Sequence, residues 1–445
     1  MALDFESELA LEDEAAELIK LGPKVVRLTH WQQLVKPHPS DPGKIAPGKI
    51  VPLHPNNMNP RSLDPWGGPD WATTDTRLQS SLEALLTEGW FNFLLANGKS
   101  GIPSQCDRVR VALVNLTGSR WFDPALALWG GTYPTEGASI GKVLVVYALF
   151  QLRFDLRVLA FLKHVTNPTE LRKAARESWR GMLRPEDQPM LDALFGWAAW
   201  DGKPDNLDFN ERTKVRLRAA IACNDDCAMG RLMVQVGFSF IGSVAFQSGL
   251  WEPLGPGGLW LSATFAGKAL VEKKCPPPES CAGVNRSWSQ DPYRTRKPLF
   301  HHNATALALA KFYTLLSQFR LVDQRSSLEI MYLLGEGCVS GPFHKAIATV
   351  AVASKCGVLL DFRKRLEDYG CKDSRESMVI NDSALFFDKS VDPPLRYVIV
   401  IMSYMPRAYS VPRPGARPVP VPKGHPLHGY DYAKLVGRLE NLVRY

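Results

Sequence analysis

The sequence predicts an α+β fold: an antiparallel sheet of five strands, flanked by terminal helices, with an all-helical lobe inserted between the second and third strands. Three observations predict it. Alternating or β-branched segments fall in two blocks, 109–129 and 346–404, at the two ends of the main body. The patterned segments between 139 and 334 carry helical period instead, and an amphipathic helix precedes the first block and follows the second.

Composition limits the class before any element is placed. With 445 residues, 45% apolar and 22% charged, the chain buries a large core in two or three lobes and reads as globular. The net charge of +8 is spread among mixed signs, which describes a solvated surface and favours anionic partners only in a general way. No basic helix face or aromatic-basic motif points to nucleic acid. Residues Met1 to Glu17 are acidic and show no basic segment followed by an apolar core, so no secretory signal is read and a cytoplasmic location is expected. The eight cysteines then fit reduced thiols, with a small Cys275–Cys281 disulfide loop as the alternative if the chain is exported. No zinc pattern, metal or cofactor is indicated.

In chain order, residues 1–75 form an extension of one short acidic helix and a Pro- and Asn-rich passage with no assigned chemistry. A helix over 76–96 packs through Leu78, Leu82, Leu85, Leu86 and Phe91. Val109–Asn115 and Ala125–Trp129 make a hairpin that delivers the chain to Ser139. The apolar run from Val143 to Leu162 approaches membrane-span length, but Arg153, Asp155 and Arg157 make it a buried helix with a polar end, so no membrane span is expected. Helices continue to Leu217, with Thr169 a candidate cap, and a polar knot at Cys223–Asp226 follows, in which Asp225 or Asp226 caps the next helix. The loop-rich stretch 249–298 contains Gly255–Gly258, which lacks a preceding strand and is a poor phosphate loop. Helices over 303–319 and 326–334 lead to strands at 346–360, 377–387 and 396–404. A Pro- and Arg-rich spacer over 406–426, with an SH3-type ligand as the alternative, precedes the closing helix 430–443. The sheet lobe is thus 76–138 with 335–445, and the helical lobe 139–334.

The stretch Thr135 to Lys142 carries the chemistry. Ser139 and Lys142 stand one helical turn apart, satisfying Ser-x-x-Lys, while Gly137–Gly141 also satisfies Gly-x-Ser-x-Gly. A nucleophile elbow needs an apolar strand running into its first glycine, but Tyr133-Pro134-Thr135-Glu136 is turn chemistry. The apolar helix that follows favours the Ser-x-x-Lys reading. Serine is also a common helix cap, which is the bland role open to Ser139.

With Lys355-Cys356-Gly357 on a later strand, the order of motifs resembles the serine β-lactamase and penicillin-binding protein superfamily, closest to its class A β-lactamase-like branch. The resemblance spans about 105–445, and Asn303-Ala304-Thr305-Ala306 and Gln247-Ser248-Gly249-Leu250 contribute to it. It implies a β-lactamase/transpeptidase-like fold, with Ser139 as nucleophile and Lys142 as the group that takes its proton. It also implies Lys355 as the neighbouring cation that helps keep Lys142 neutral, and an oxyanion hole from the Ser139 and Val358 backbone N–H groups. Gly357 and Cys356 would line the substrate side. The chain departs from the family pattern in three places. Cys223-Asn224-Asp225 replaces Ser-x-Asn: in one register Cys223 stands for the proton-relaying hydroxyl and Asp225 for the amide, and in the other Asn224 keeps the amide but Ala222 falls where the hydroxyl should be, so neither gives the full set. Cys356 replaces a hydroxyl residue, and no Glu-x-x-Leu-Asn loop for deacylating water is found, Glu252 being its nearest remnant. The substrate expected is a small molecule or peptide-like amide or ester, carrying a carboxylate. Two alternatives stand beside this one: a catalytically impaired binding or interaction protein, and an α/β-hydrolase drawing its histidine from His301, His302, His344, His425 or His428.

Overall fold

The computed structural model describes residues 37–38, 41–45, 71–87, 91, 94–95, 101–104, 106–179, 188–252, 257–261, 265, 302–336, 351–359, 377–388, 390–406 and 432–444. Most of the N-terminal extension, the 406–426 spacer beyond Pro406, Cys275, Cys281, His301, His344, His425 and His428 lie outside these residues.

In the extension a short β1 (Pro37–His38) pairs with β2 (Asp41–Ile45). The main sheet begins with β3 (Thr73–Thr74), followed by helix α1 (Thr76–Thr87), β4 (Val109–Asn115) and β5 (Ala125–Trp129). Near the other end of the chain it gains β11 (Ala351–Leu359), β12 (Ser377–Asp388) and β13 (Leu395–Pro406), and α10 (Tyr432–Arg444) closes the molecule. The strand order is β11-β12-β13-β4-β5-β3, antiparallel except for the two-residue β3 beside β5. β3 makes a sixth strand where five are expected, because two threonines carry no periodicity to read. The five expected strands occupy their expected places.

Alternation along each strand gives the sheet two apolar faces. Val398, Val400 and Met402 of β13 join the core beneath the helical lobe, while Tyr397, Ile399 and Ile401 pack with Leu82 and Leu86 of α1 and Leu435 and Leu439 of α10. Both faces are therefore covered by helices. α1 ends at Thr87, short of the expected Ala96, although Phe91, Leu94 and Leu95 still bury in the same cluster.

The helical lobe is built around α2 (Lys142–Lys163), which is buried along nearly its whole length from Lys142 to Ala160. Arg153 and Arg157, which mark the expected polar end, are buried with the rest of the helix. Arg153 pairs with Asp208 at 2.9 Å and Glu329 at 2.7 Å, between the rings of Phe150 and Phe209, so partners replace water. Around α2 lie α3 (Pro168–Ser178), the single-turn α4 (Leu191–Leu194), α5 (Glu211–Ala222), α6 (Asp226–Val236) and α7 (Phe238–Gln247). Asn167, not Thr169, caps α3: its side chain accepts from Glu170 N–H while Pro168 occupies the first helical position. Beyond β7 (Trp251–Glu252), β8 (Gly257–Gly258), β9 (Trp260–Leu261) and β10 (His302–Ala304) come α8 (Ala306–Ser317), capped by Thr305, and α9 (Gln324–Glu336).

Among the described residues no single helix is long and apolar enough to cross a membrane; the bent pair Asp226–Val236 and Phe238–Ala245 passes that test together, by length and composition alone. The cysteines correct the reduced-thiol expectation. Cys106 and Cys227 are disulfide-bonded, whereas Cys223 and Cys356 are thiols outside any disulfide. Pairing depends on which loops the fold brings together, which spacing along the chain does not encode.

Candidate active site

The Ser139 turn is assembled from five directions. Strand β6 (Thr135–Glu136) pairs with β10, and one turn of 3₁₀ helix over Ala138–Gly141 runs directly into α2. Gly137 N–H donates to His302 O at 2.5 Å. Glu136 N–H donates to the Tyr404 hydroxyl at 3.2 Å, and burial pushes that phenol up to about 12, so it stays protonated. From β12 the buried Asn381 donates through Nδ2 to Glu136 O at 2.8 Å and Gly137 O at 3.2 Å, while its Oδ1 accepts from Ser403 N–H at 3.2 Å. These bonds fix the amide's orientation as well as the turn.

Two local features explain the shape. Ala138 sits at φ +47°, a left-handed conformation that costs energy without glycine and persists because the surrounding bonds over-determine it. Edge strand β11 then passes so close that a Cβ on Gly357 would lie 2.7 Å from Gly137 O, 2.8 Å from Ile140 N and 3.0 Å from Ser139 N. Only glycine allows that approach. Val358 follows directly on the same strand, opposite Ile380.

Ser139 is 9% exposed and Lys142 is fully buried. Lys142 Nζ donates to Asn224 O and Asn224 Oδ1, each at 2.9 Å, and forms an ion pair with Asp226 Oδ1 at 2.7 Å. Lys355, 1% exposed, donates to the same Asn224 Oδ1 at 3.0 Å and to Cys356 O at 3.1 Å. One amide oxygen thus bridges the two lysines, with Asn224 held at φ +54° between α5 and α6. Burial brings the Lys142 pKa down to about 8; Asp226 and Asp225 oppose that shift and Lys355 assists it. No hydrogen bond joins Ser139 Oγ to Lys142 in this arrangement.

The structure brings Ser139, Lys142, Asn224, Lys355 and Gly357 into one site, and it separates the rest. Asp225 turns away to cap α6, accepting from Ala228 N–H at 3.0 Å, and its neighbour Asp226 takes the ion pair instead. Cys223 ends α5 as an exposed thiol. Cys356 lies between Lys355 and Gly357 on β11, so strand alternation directs it, with its cross-strand neighbour Asp382, to the opposite face. The side chain of Glu252 lies outside the described residues. On the far side of Lys142 the Phe265 ring lies 5.4 Å from Nζ and stacks at 4.1 Å on His302, whose Nδ1 is 3.6 Å from Glu136 Oε1. Sequence reading missed Asp226 as a lysine partner and Asn381 altogether. Two adjacent aspartates at a helix start were the signal for the first, and the polar run Asn381-Asp382-Ser383 in the middle of a largely apolar strand was the signal for the second. The elbow reading is corrected: the main strands are antiparallel and β6 is a two-residue strand, not the long parallel strand an α/β-hydrolase requires. Among the described residues no group of three or more His, Cys, Asp or Glu side chains could hold a metal.

No protein-family model and no curated protein matches the chain. Solved structures do. The chain is similar to PBP-A (13% identity, 83% of this chain and 96% of that one, TM-score 0.39). It is similar also to the TLA-3 extended-spectrum β-lactamase (12%, 82% and 98%, TM-score 0.42) and to a β-lactamase from Chitinophaga pinensis (11%, 83% and 97%, TM-score 0.40). Likeness at this level says nothing of substrate or chemistry, and the fold rests on the chain's own topology. Hairpin, Ser-x-x-Lys turn, helical lobe and Lys-x-Gly edge strand follow one another along the chain in the order that the sequence resemblance implies.

Proposed function

We propose that the chain is a serine acyl-transferring hydrolase acting on an amide or ester, with Ser139 as nucleophile and Lys142 as its base. The observation that carries this reading is the convergence of a strained serine turn with two buried lysines bridged by Asn224 Oδ1. In the proposed first step Ser139 Oγ attacks the substrate carbonyl while its proton passes to neutral Lys142 Nζ. Negative charge on the carbonyl oxygen is met by the Ser139 and Val358 N–H groups. The lysine then returns the proton to the leaving group, which departs as the acyl-enzyme forms. Water completes the cycle by hydrolysing the acyl group. No Glu-x-x-Leu-Asn loop to activate that water is read in the sequence, so the acyl-enzyme is expected to be long-lived.

The second reading, an impaired enzyme kept as a binding module, is favoured by one observation: Lys142 is engaged by Asp226 and not by Ser139. Intact-mass spectrometry after incubation with a penicillin, and separately with a fluorophosphonate, decides between the two. A stable adduct that Ser139→Ala abolishes supports the hydrolase. Folded protein that gains no adduct from either probe supports the binding module.

A further inference from the structure

For Lys142 to act as a base it must be neutral and must present a lone pair to Ser139. The contacts in the structure describe the opposite state. Three oxygens surround Nζ, from Asn224 O at 2.9 Å, Asn224 Oδ1 at 2.9 Å and Asp226 Oδ1 at 2.7 Å. An ammonium has three N–H donors and suits three acceptors; a neutral amine has two and leaves one oxygen facing a lone pair. Of the three, Asn224 Oδ1 is already shared with Lys355, and only Asp226 brings a negative charge into contact. The two ends of this ion pair differ in setting. Lys142 is fully buried whereas the Asp226 carboxylate is 52% exposed, so the carboxylate can return to water at little cost while the lysine cannot.

We propose that Asp226 is a positioning residue that holds Lys142 in its protonated, unreactive form, so that acylation proceeds only through molecules in which this ion pair has opened. The proposal rests on the reading of Ser139 and Lys142 given above, and adds a latch to it. The charged groups facing Lys142 are Asp225 and Asp226 from the α5–α6 junction and Lys355 from β11. Asp225 is occupied as the cap of α6, which leaves Asp226 free to move without unwinding the helix. The balance of these groups, with burial, leaves the lysine near pKa 8, so at pH 7 about one molecule in ten carries a neutral base. Replacing the carboxylate by an amide removes the charge that favours the ammonium. A tenfold weaker hold on the lysine proton would then make about half of the molecules competent at pH 7.

The test follows the rate of Ser139 modification by a fluorophosphonate, read by intact mass between pH 6 and pH 10. In that reaction the Oγ–P bond forms, the P–F bond breaks, fluoride leaves, and the serine proton goes to Lys142. Asp226→Asn is expected to react about five-fold faster than the parent at pH 7, to match it above about pH 10, and to shift the rise in its profile to lower pH. Asp226→Glu, which restores a carboxylate, is expected to recover the parent profile. Superimposable profiles for the parent and Asp226→Asn, or a variant slower at every pH, would overturn the latch while leaving the nucleophile in place. Lysine carrying 13C at Cε supplies a readout that needs no adduct: the Lys142 resonance should titrate at lower pH in Asp226→Asn. If no protein forms an adduct but that titration moves, the serine reading fails and the Asp226 contact stands. If neither moves, both fail.

Discussion

Gly357 shows how strictly a single position can hold the site. An added methyl would meet two backbone nitrogens and a carbonyl of the Ser139 turn within 3.0 Å, and none of these is a flexible side-chain tip. Gly357→Ala is therefore expected to destabilise the protein by about 2 kcal/mol and to displace β11 from the turn, seen as a lower thermal midpoint together with slower modification of Ser139. The residue scale is also where sequence reading reached least far. Lys142 and Lys355 are legible because their motifs specify the residue types. Asp226 was not, because the choice of which adjacent carboxylate caps the helix and which turns inward is made by tertiary packing. Asn381 was missed for the same reason. Its role is to satisfy carbonyls of a turn more than two hundred residues away in the chain.

At the scale of elements, the junction between α5 and α6 divides its labour between two neighbouring side chains. Asp225 accepts from Ala228 N–H as the cap, and Asp226 pairs with Lys142. Asp225→Ala is expected to lose about 1 kcal/mol in urea denaturation, the usual worth of such a cap, and to move the pH profile of Ser139 modification to lower pH by less than Asp226→Asn does. Strands β4, β5, β12 and β13 were legible almost to the residue, since strands buried on both faces read as short, nearly continuous runs of β-branched and other apolar residues. Helix ends were less so. Thr169 and Asn167 are both good capping types, and the proline between them settles the choice only when its preference for the first turn is weighed.

For the whole molecule, the helical lobe is held together by polar side chains as well as by apolar packing. Arg153, 1% exposed on α2, reaches both Asp208 and Glu329, so it ties the central helix to the 208 loop and to α9. Arg153→Ala is expected to cost about 2 kcal/mol, because the packing between Phe150 and Phe209 is lost and Asp208 and Glu329 keep only Lys214 and Arg325 as partners, and the urea midpoint should fall with little change in slope. The two-block distribution of strands made this architecture readable from the sequence. The disulfides at Cys106 and Cys227 were not readable, since they record which loops meet in space. The bridge at Asn224 extends the argument beyond individual contacts. A single oxygen accepts from a lysine on α2 and from a lysine on β11, so neither substitution acts alone: removing one lysine rearranges the acceptor of the other. In a double-mutant cycle the losses from Lys142→Ala and Lys355→Ala should consequently fail to add, and the shortfall measures how far the two lobes behave as one thermodynamic unit.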